Sequence, residues 1–152
     1  MGGIDLDPAT SAIANKTVMA DAFFTAETNG LANEWWGRVW MNPPYAQPLI
    51  SQFAQAMVDK FLNGEIEQGF CLVNNGTETK WGQTLIGNAS AVCFVSKRIR
   101  FLDPDGRPNG PPLQGQMLAY FGSNIEGFKK EFKKHGTVLV NTNEEKHELE
   151  FE

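Results

Sequence analysis

The sequence predicts a single α/β domain, residues 1–152, with helices packed around a largely parallel sheet and antiparallel pairing toward the C-terminus. Three observations predict it. Two continuous apolar runs, Gly69-Phe70-Cys71-Leu72-Val73 and Ala91-Val92-Cys93-Phe94-Val95, read as strands buried on both faces. From about Pro48 to Leu62, apolar residues at 49, 50, 53, 54, 57, 58, 61 and 62 recur at helical spacing. Strand-like and helix-like stretches alternate along the chain with no internal repeat, the order expected of helices laid on the faces of a sheet.

Taken in order, residues 3–7 alternate apolar and acidic and then meet Pro8, a strand that ends in a turn. Residues 9–15 form a short helix, and Thr17-Val18-Met19-Ala20 reads as a second strand leading into Asp21-Ala22-Phe23-Phe24. A polar loop with Asn29-Gly30 and the pair Trp35-Trp36 precede the strand Val39-Trp40-Met41. Asn63-Gly64 closes the long helix. Thr79 to about Leu85 is helical, and Arg98-Ile99-Arg100-Phe101 alternates as a half-exposed strand does. Asp103 to Pro112 holds four prolines and two glycines and must be a loop. Gln116–Phe121 returns as a strand, Glu126–Lys134 as a basic helix, and Thr137–Val140 as the last strand. Ligands of such sheets bind outside the carboxyl ends of the strands, where the strand order reverses. Asp7, Asp21 and Asn42 fall at predicted strand ends, so they are expected to converge on one crevice.

Composition narrows the function. The chain has 152 residues, 41% apolar and 20% charged, which is ordinary for a globular domain with one core. No run approaches the ~20 apolar residues of a membrane span, and the N-terminus lacks the layout of a signal peptide. Cys71 and Cys93 sit inside apolar strands, where a free thiol behaves as a small hydrophobe. With two cysteines, two late histidines (His135 and His147) and no ligand spacing, no metal site is expected. The expected compartment is reducing cytoplasm. A net charge of −5 argues against a general nucleic-acid coat protein. Lys97, Arg98, Arg100 and Arg107 nevertheless cluster mid-chain, and an acidic enzyme can carry one basic face.

The most informative residues are Asn42-Pro43-Pro44-Tyr45, placed between a strand and a helix. The amide oxygen of Asn42 and the carbonyl of Pro43 can each accept one hydrogen of an exocyclic amine. Two prolines stiffen the loop that aims those acceptors. Tyr45 can stack on a base, worth roughly 1–3 kcal/mol in single-strand sites. An aromatic amine is a poor nucleophile because its lone pair is delocalised. Holding both hydrogens in a tetrahedral arrangement localises that pair for attack on an electrophilic methyl group. The plainer reading of the same residues is a loop opener or a linear peptide motif.

Three stretches together resemble the phage-type (Dam-like) DNA N6-adenine methyltransferases. They are Ile4-Asp5-Leu6-Asp7-Pro8-Ala9, the run Trp36-Gly37-Arg38-Val39-Trp40-Met41-Asn42-Pro43-Pro44-Tyr45, and Lys97-Arg98-Ile99-Arg100-Phe101 before a Gly/Pro-rich loop. The likeness covers roughly residues 3–122. It implies a Rossmann-like methyltransferase fold, S-adenosylmethionine as donor, and adenine in DNA as substrate. By the same resemblance Asn42, Pro43 and Tyr45 hold the target adenine, and the Asp5–Pro8 turn occupies the first donor-binding motif, with Asp7 on the methionine amino group. Asp21 with Phe23 or Phe24 resembles the acidic-aromatic motif that holds the donor's adenine. The chain departs from the pattern in having Pro8-Ala9-Thr10-Ser11-Ala12 where a glycine-rich loop is usual, and in starting almost at the first strand. The fold is therefore expected to be N-terminally shortened: another region, a second copy or a partner completes the donor site, or donor affinity is weak.

Several of these residues also have structural readings. Asp7-Pro8 is equally a helix-start turn, Asp21 a helix cap, and the two phenylalanines core. Trp40 and Trp81 are candidate walls for a flipped base or simply core. Lys80, Lys97, Arg98 and Arg100 are candidate phosphate contacts or solvated surface charge. Two rival functions remain: the same amino-methyl transfer onto RNA or a protein amide, and a degenerate module that binds DNA or a partner without catalysis.

Overall fold

The computed structural model describes residues 1–103, 105–108, 110 and 114–142. Part of the expected Asp103–Pro112 loop and the charged C-terminus lie outside the described residues. The chain runs β1 (Leu6–Asp7), α1 (Ala12–Val18), β2 (Ala22–Phe23), a 3-10 turn (Gly30–Ala32), β3 (Arg38–Met41), α2 (Leu49–Leu62), β4 (Gln68–Asn74), α3 (Lys80–Asn88), β5 (Ala91–Val95), β6 (Gln116–Phe121), α4 (Ile125–Phe132) and β7 (Gly136–Val140). All seven strands form one sheet in the order β2-β1-β3-β4-β6-β5-β7. β1 pairs in parallel with both β2 and β3, and β3 with β4. β6 runs antiparallel between β4 and β5, and β7 closes the far edge antiparallel to β5. The expected mixture of parallel and antiparallel pairing is therefore present, with its change at β6.

Strand alternation divides the core between the two faces. Val39 and Met41 face α2 and α3, where Ile50, Phe53, Ala54, Met57, Val58 and Leu85 complete the larger cluster. The helical periodicity of 48–62 is thus the α2 face that meets the sheet, although Leu49 and Leu62 at its ends stay exposed. On the opposite face Phe70, Leu72, Leu118 and Tyr120 pack against Phe128 of α4. Phe128 stacks on Tyr120 with ring centroids 4.8 Å apart, and burying it fully is worth roughly 2–3 kcal/mol.

Two expected strands are absent, each for a physical reason. Thr17 and Val18 end α1 instead of starting a strand. Ser11 caps that helix, its hydroxyl accepting the Ala14 N–H at 3.1 Å. Met19 turns the chain through the left-handed region at φ 58°. The Asn15 side chain then holds both the N–H and the carbonyl of Ala20 at 3.0 and 3.1 Å. Pairing with β1 begins only at Ala22. Residues 98–101 form no strand, because β5 already has β6 and β7 on its two sides. Without a neighbour a ladder cannot form, and among the described residues only the isolated bridge Leu102–Pro108 remains.

The strand order reverses at β1: β2 lies on one side of it and β3, leading to β4, on the other. The carboxyl ends of β1 and β3 therefore flank the crevice where ligands of open α/β sheets bind. Asp7 ends the first strand and Asn42 follows the second.

Candidate active site

A cavity of about 570 Å³ opens at these strand ends. Its walls come from the turn Asp7–Ser11, Ala14 and Val18 of α1, the loop from Thr25 to Gly30, Trp40, the segment Asn42-Pro43-Pro44, Leu49 and Phe53 of α2, Leu72 of β4, and Phe101. One acid, Asp7, and one amide, Asn42, stand in surroundings that are otherwise largely apolar.

Asp7 is 2% exposed. Its Oδ1 accepts the Ala9 N–H at 3.1 Å. Burial pushes its carboxyl up to about 6, against the opposing pull of the hydrogen bonds from Ala9 and the Thr10 side chain. Among the described residues no cation pairs with it. A buried acid of this kind is stabilised as a carboxylate by an incoming cation. The turn that carries it is braced from below. Gly30 packs so close to Pro8 that a Cβ there would collide with the Pro8 carbonyl oxygen. Trp35 holds Gly30 in place by donating its indole N–H to the Gly30 carbonyl at 2.8 Å, and Thr10 N–H donates to Phe24 O at 3.0 Å.

Asn42 lines the same cavity, and its Oδ1 is buried with no hydrogen-bond partner among the described residues. An orphaned buried acceptor costs about 1–3 kcal/mol, a cost that a hydrogen-bond donor entering the cavity would remove. Pro43 is buried and Pro44 exposed, and both contribute to the wall. Tyr45 is 38% exposed and its hydroxyl accepts the backbone N–H of Asn74 at 3.0 Å. Burial pushes its phenol up to about 12, only partly offset by the bond from Asn74, so it is neutral. Its ring lies 6.5 Å from that of Trp81, tilted by 50°.

The remaining expected residues divide. Pro8 and Trp40 line the cavity, and Trp40 also packs on Phe70 with centroids 6.5 Å apart. Trp81 packs against the larger core cluster and stands beside Tyr45, outside the cavity wall. Asp5, Asp21 and Phe23 are not brought to the cavity. Asp5 sits at the amino end of β1, where its carboxylate accepts the Arg38 N–H at 2.7 Å and lies 4.0 Å from the Arg38 guanidinium. Asp21 precedes β2 and is exposed, because the strand begins later than its sequence implied. The expected convergence of Asp7, Asp21 and Asn42 is therefore corrected to Asp7 and Asn42. Phe23 is half-buried within β2 itself. Phe24 packs edge-on against Trp36 at 6.4 Å.

Lys80 opens α3, and Lys97, Arg98 and Arg100 follow β5. All four are exposed, and none forms an ion pair among the described residues. Ile99 and Phe101, which alternate with the arginines, pack inward against the second core cluster. The 97–101 pattern thus reflects a real division between an apolar inner side and a basic outer side, without a strand.

Sequence reasoning missed the Thr25–Gly30 loop, Phe53 and Phe101 as cavity walls. Asn29-Gly30 was visible as a turn, but nothing local shows that Gly30 must meet Pro8.

Comparison with known proteins identifies the family. The family model described as DNA N-6-adenine-methyltransferase (Dam) matches residues 2–149. A DNA N-6-adenine-methyltransferase of Haemophilus phage HP1 is 31% identical over 121 residues, 78% of this chain and 68% of that protein. A protein of the same name from Escherichia phage T1 is 31% identical over 98 residues, 62% of this chain and 37% of its own length. No solved structure matches the chain. With a family match that spans residues 2–149, nearly all of its length, the chain belongs to the DNA N-6-adenine-methyltransferase (Dam) family.

Proposed function

We propose that this chain is one catalytic domain of Rossmann-like methyltransferase type, transferring a methyl group from S-adenosylmethionine to the N6 amine of adenine in DNA. The observation that carries the reading is the Asn42 Oδ1, buried with no partner among the described residues, in the wall of a cavity that also holds a buried Asp7. The strand order supports the fold assignment, since β1 and β3 meet at the reversal and two strands, β6 and β7, run against the other five.

Asp7 would receive the amino group of the donor, whose charge offsets the burial of the carboxylate. The loop from Thr25 to Gly30, in place of Asp21 and Phe23, would line the donor's nucleoside, with Trp40 and Phe101 as apolar walls. The donor supplies a methyl group already activated on a sulfonium, so no strong base is required. Asn42 Oδ1 accepts one N6 hydrogen and the Pro43 carbonyl the other, which localises the nitrogen lone pair. That pair forms the new N–C bond as the C–S bond breaks, and the surplus proton leaves to solvent. Most of the rate gain is positioning. The adenine must leave the base stack to reach this site, where Tyr45 offers its face. Lys97, Arg98 and Arg100 would meet phosphates on the outer side of the segment after β5, with Lys80 at the start of α3.

The test is methyl transfer from labelled donor to an adenine-containing duplex, a matched RNA and a peptide amide, with Asn42→Ala as control. Label in N6-methyladenine from the duplex, absent with Asn42→Ala, is the expected result. Label in RNA or peptide but not in DNA would replace the substrate. Donor binding without transfer to any of them would defeat the catalytic reading.

A further inference from the structure

Gln116 opens β6 and is 2% exposed, a buried amide outside the cavity. Its Nε2 donates to Asn74 Oδ1 at 2.6 Å, while its Oε1 is buried with no partner among the described residues. A methionine of similar volume would fill the space without an orphaned oxygen, so packing alone does not account for the amide. Asn74 is the last residue of β4 and faces Gln116 directly across the ladder. It also lies three residues past Cys71, the last β4 residue paired with β3. On that side its N–H has run out of strand partners, and the Tyr45 hydroxyl takes the place of the missing carbonyl at 3.0 Å. The next residue, Asn75, still bonds back to Gly115 O at 3.1 Å. The end of β4 is thus held by β6 on one side and holds Tyr45 on the other.

We infer that Gln116 is a positioning residue for methyl transfer: by pinning Asn74 it fixes the backbone N–H that orients the Tyr45 ring against the target base. The inference rests on the proposed methyltransferase reading for its catalytic consequence, and on Gln116, Asn74 and Tyr45 alone for its structural one. Gln116 touches neither donor nor base. Its effect passes entirely through the Asn74–Tyr45 bond, so it vanishes when that bond is already gone.

The test is a double-mutant cycle with Gln116→Met and Tyr45→Phe on the full chain, reading kcat and the donor Kd together with amide exchange at Asn74 by NMR. In the wild-type background Gln116→Met is expected to lower kcat about three- to tenfold, the worth of one hydrogen bond, with the donor Kd unchanged. In the Tyr45→Phe background it is expected to cost nothing further. The Asn74 amide is expected to exchange faster in Gln116→Met, toward its rate in Tyr45→Phe. Equal losses of kcat in both backgrounds, a parallel loss of donor affinity, or unchanged Asn74 exchange would each overturn the inference. Should the wild-type chain transfer no methyl group, the proposed function falls, and Asn74 exchange still decides whether Gln116 governs the bond to Tyr45.

Discussion

The Tyr45 hydroxyl accepts the backbone N–H of Asn74 at 3.0 Å, tying the last residue of the Asn42–Tyr45 motif to the end of β4. This single bond decides how freely the ring can turn. A stacking ring works by presenting its face, and a tilt costs contact with the base. Tyr45→Phe keeps the ring and loses the tether, so kcat for methyl transfer should fall about three- to tenfold, the worth of one hydrogen bond. Tyr45→Ala removes the platform itself and should cost a further factor of about ten, from roughly 1–3 kcal/mol of base–aromatic stacking. Donor affinity, measured by calorimetry, should be the same in both. A drop in donor affinity with Tyr45→Phe would place the ring in the donor site instead.

Asn42 sets stability against activity at one atom. Its Oδ1 is buried with no partner among the described residues, a cost that Asn42→Ala removes. Unfolding free energy in denaturant should therefore hold or rise by about 1 kcal/mol. Transfer should fall at least about a hundredfold, because the amine is no longer held in line. A variant that loses both stability and activity would show that the amide braces the loop.

The sequence exposed the chemistry more readily than the geometry. The Asn42–Tyr45 motif, the buried strands β4 and β5 and the periodic face of α2 all follow from short-range signals. Residues 17–20 misled because β-branched Thr17 and Val18 favour strands locally, whereas the Asn15 side chain and the left-handed Met19 end a helix there. That error carried Asp21 to the wrong end of β2. Alternation at 98–101 correctly separated an inner from an outer side, but a strand also needs a neighbour, and which edges are taken is a long-range fact. Gly30 against Pro8 and Gln116 against Asn74 are likewise contacts between segments 22 and 42 residues apart, without local signature.

Asp7 gives the proposed donor site a pH signature. Its carboxyl is raised from 3.8 to about 6 by burial. Between these values the folded chain holds a proton that the unfolded chain has released, so folding stability falls as pH rises through that window. The loss is of order 3 kcal/mol at 1.36 kcal/mol per pKa unit. Asp7→Asn should flatten the denaturation midpoint between pH 4 and pH 6 and leave the variant the more stable protein at pH 7. Donor binding should run the opposite way. An ammonium group needs the ionised acid, so affinity should rise about tenfold per pH unit up to about 6 and level off above it. Asp7→Asn should bind weakly at every pH. A flat wild-type profile would show that Asp7 does not meet the donor's amine.

The exposed basic residues after β5 make the DNA side of the reading measurable separately from catalysis. Lys97, Arg98 and Arg100 face outward while Ile99 and Phe101 pack inward, so substituting an arginine changes charge without opening the core. If each arginine meets one phosphate, Arg98→Gln and Arg100→Gln should each reduce the slope of log K against log salt by about 0.9 on duplex DNA. The double variant should lose about twice that. Binding should weaken equally on duplexes of different sequence, because phosphate contacts position the duplex without reading it. Donor affinity in the absence of DNA should stay at the wild-type value. Unchanged salt slopes would assign these arginines to solvated surface and leave Lys80 at the start of α3 as the next basic group to test.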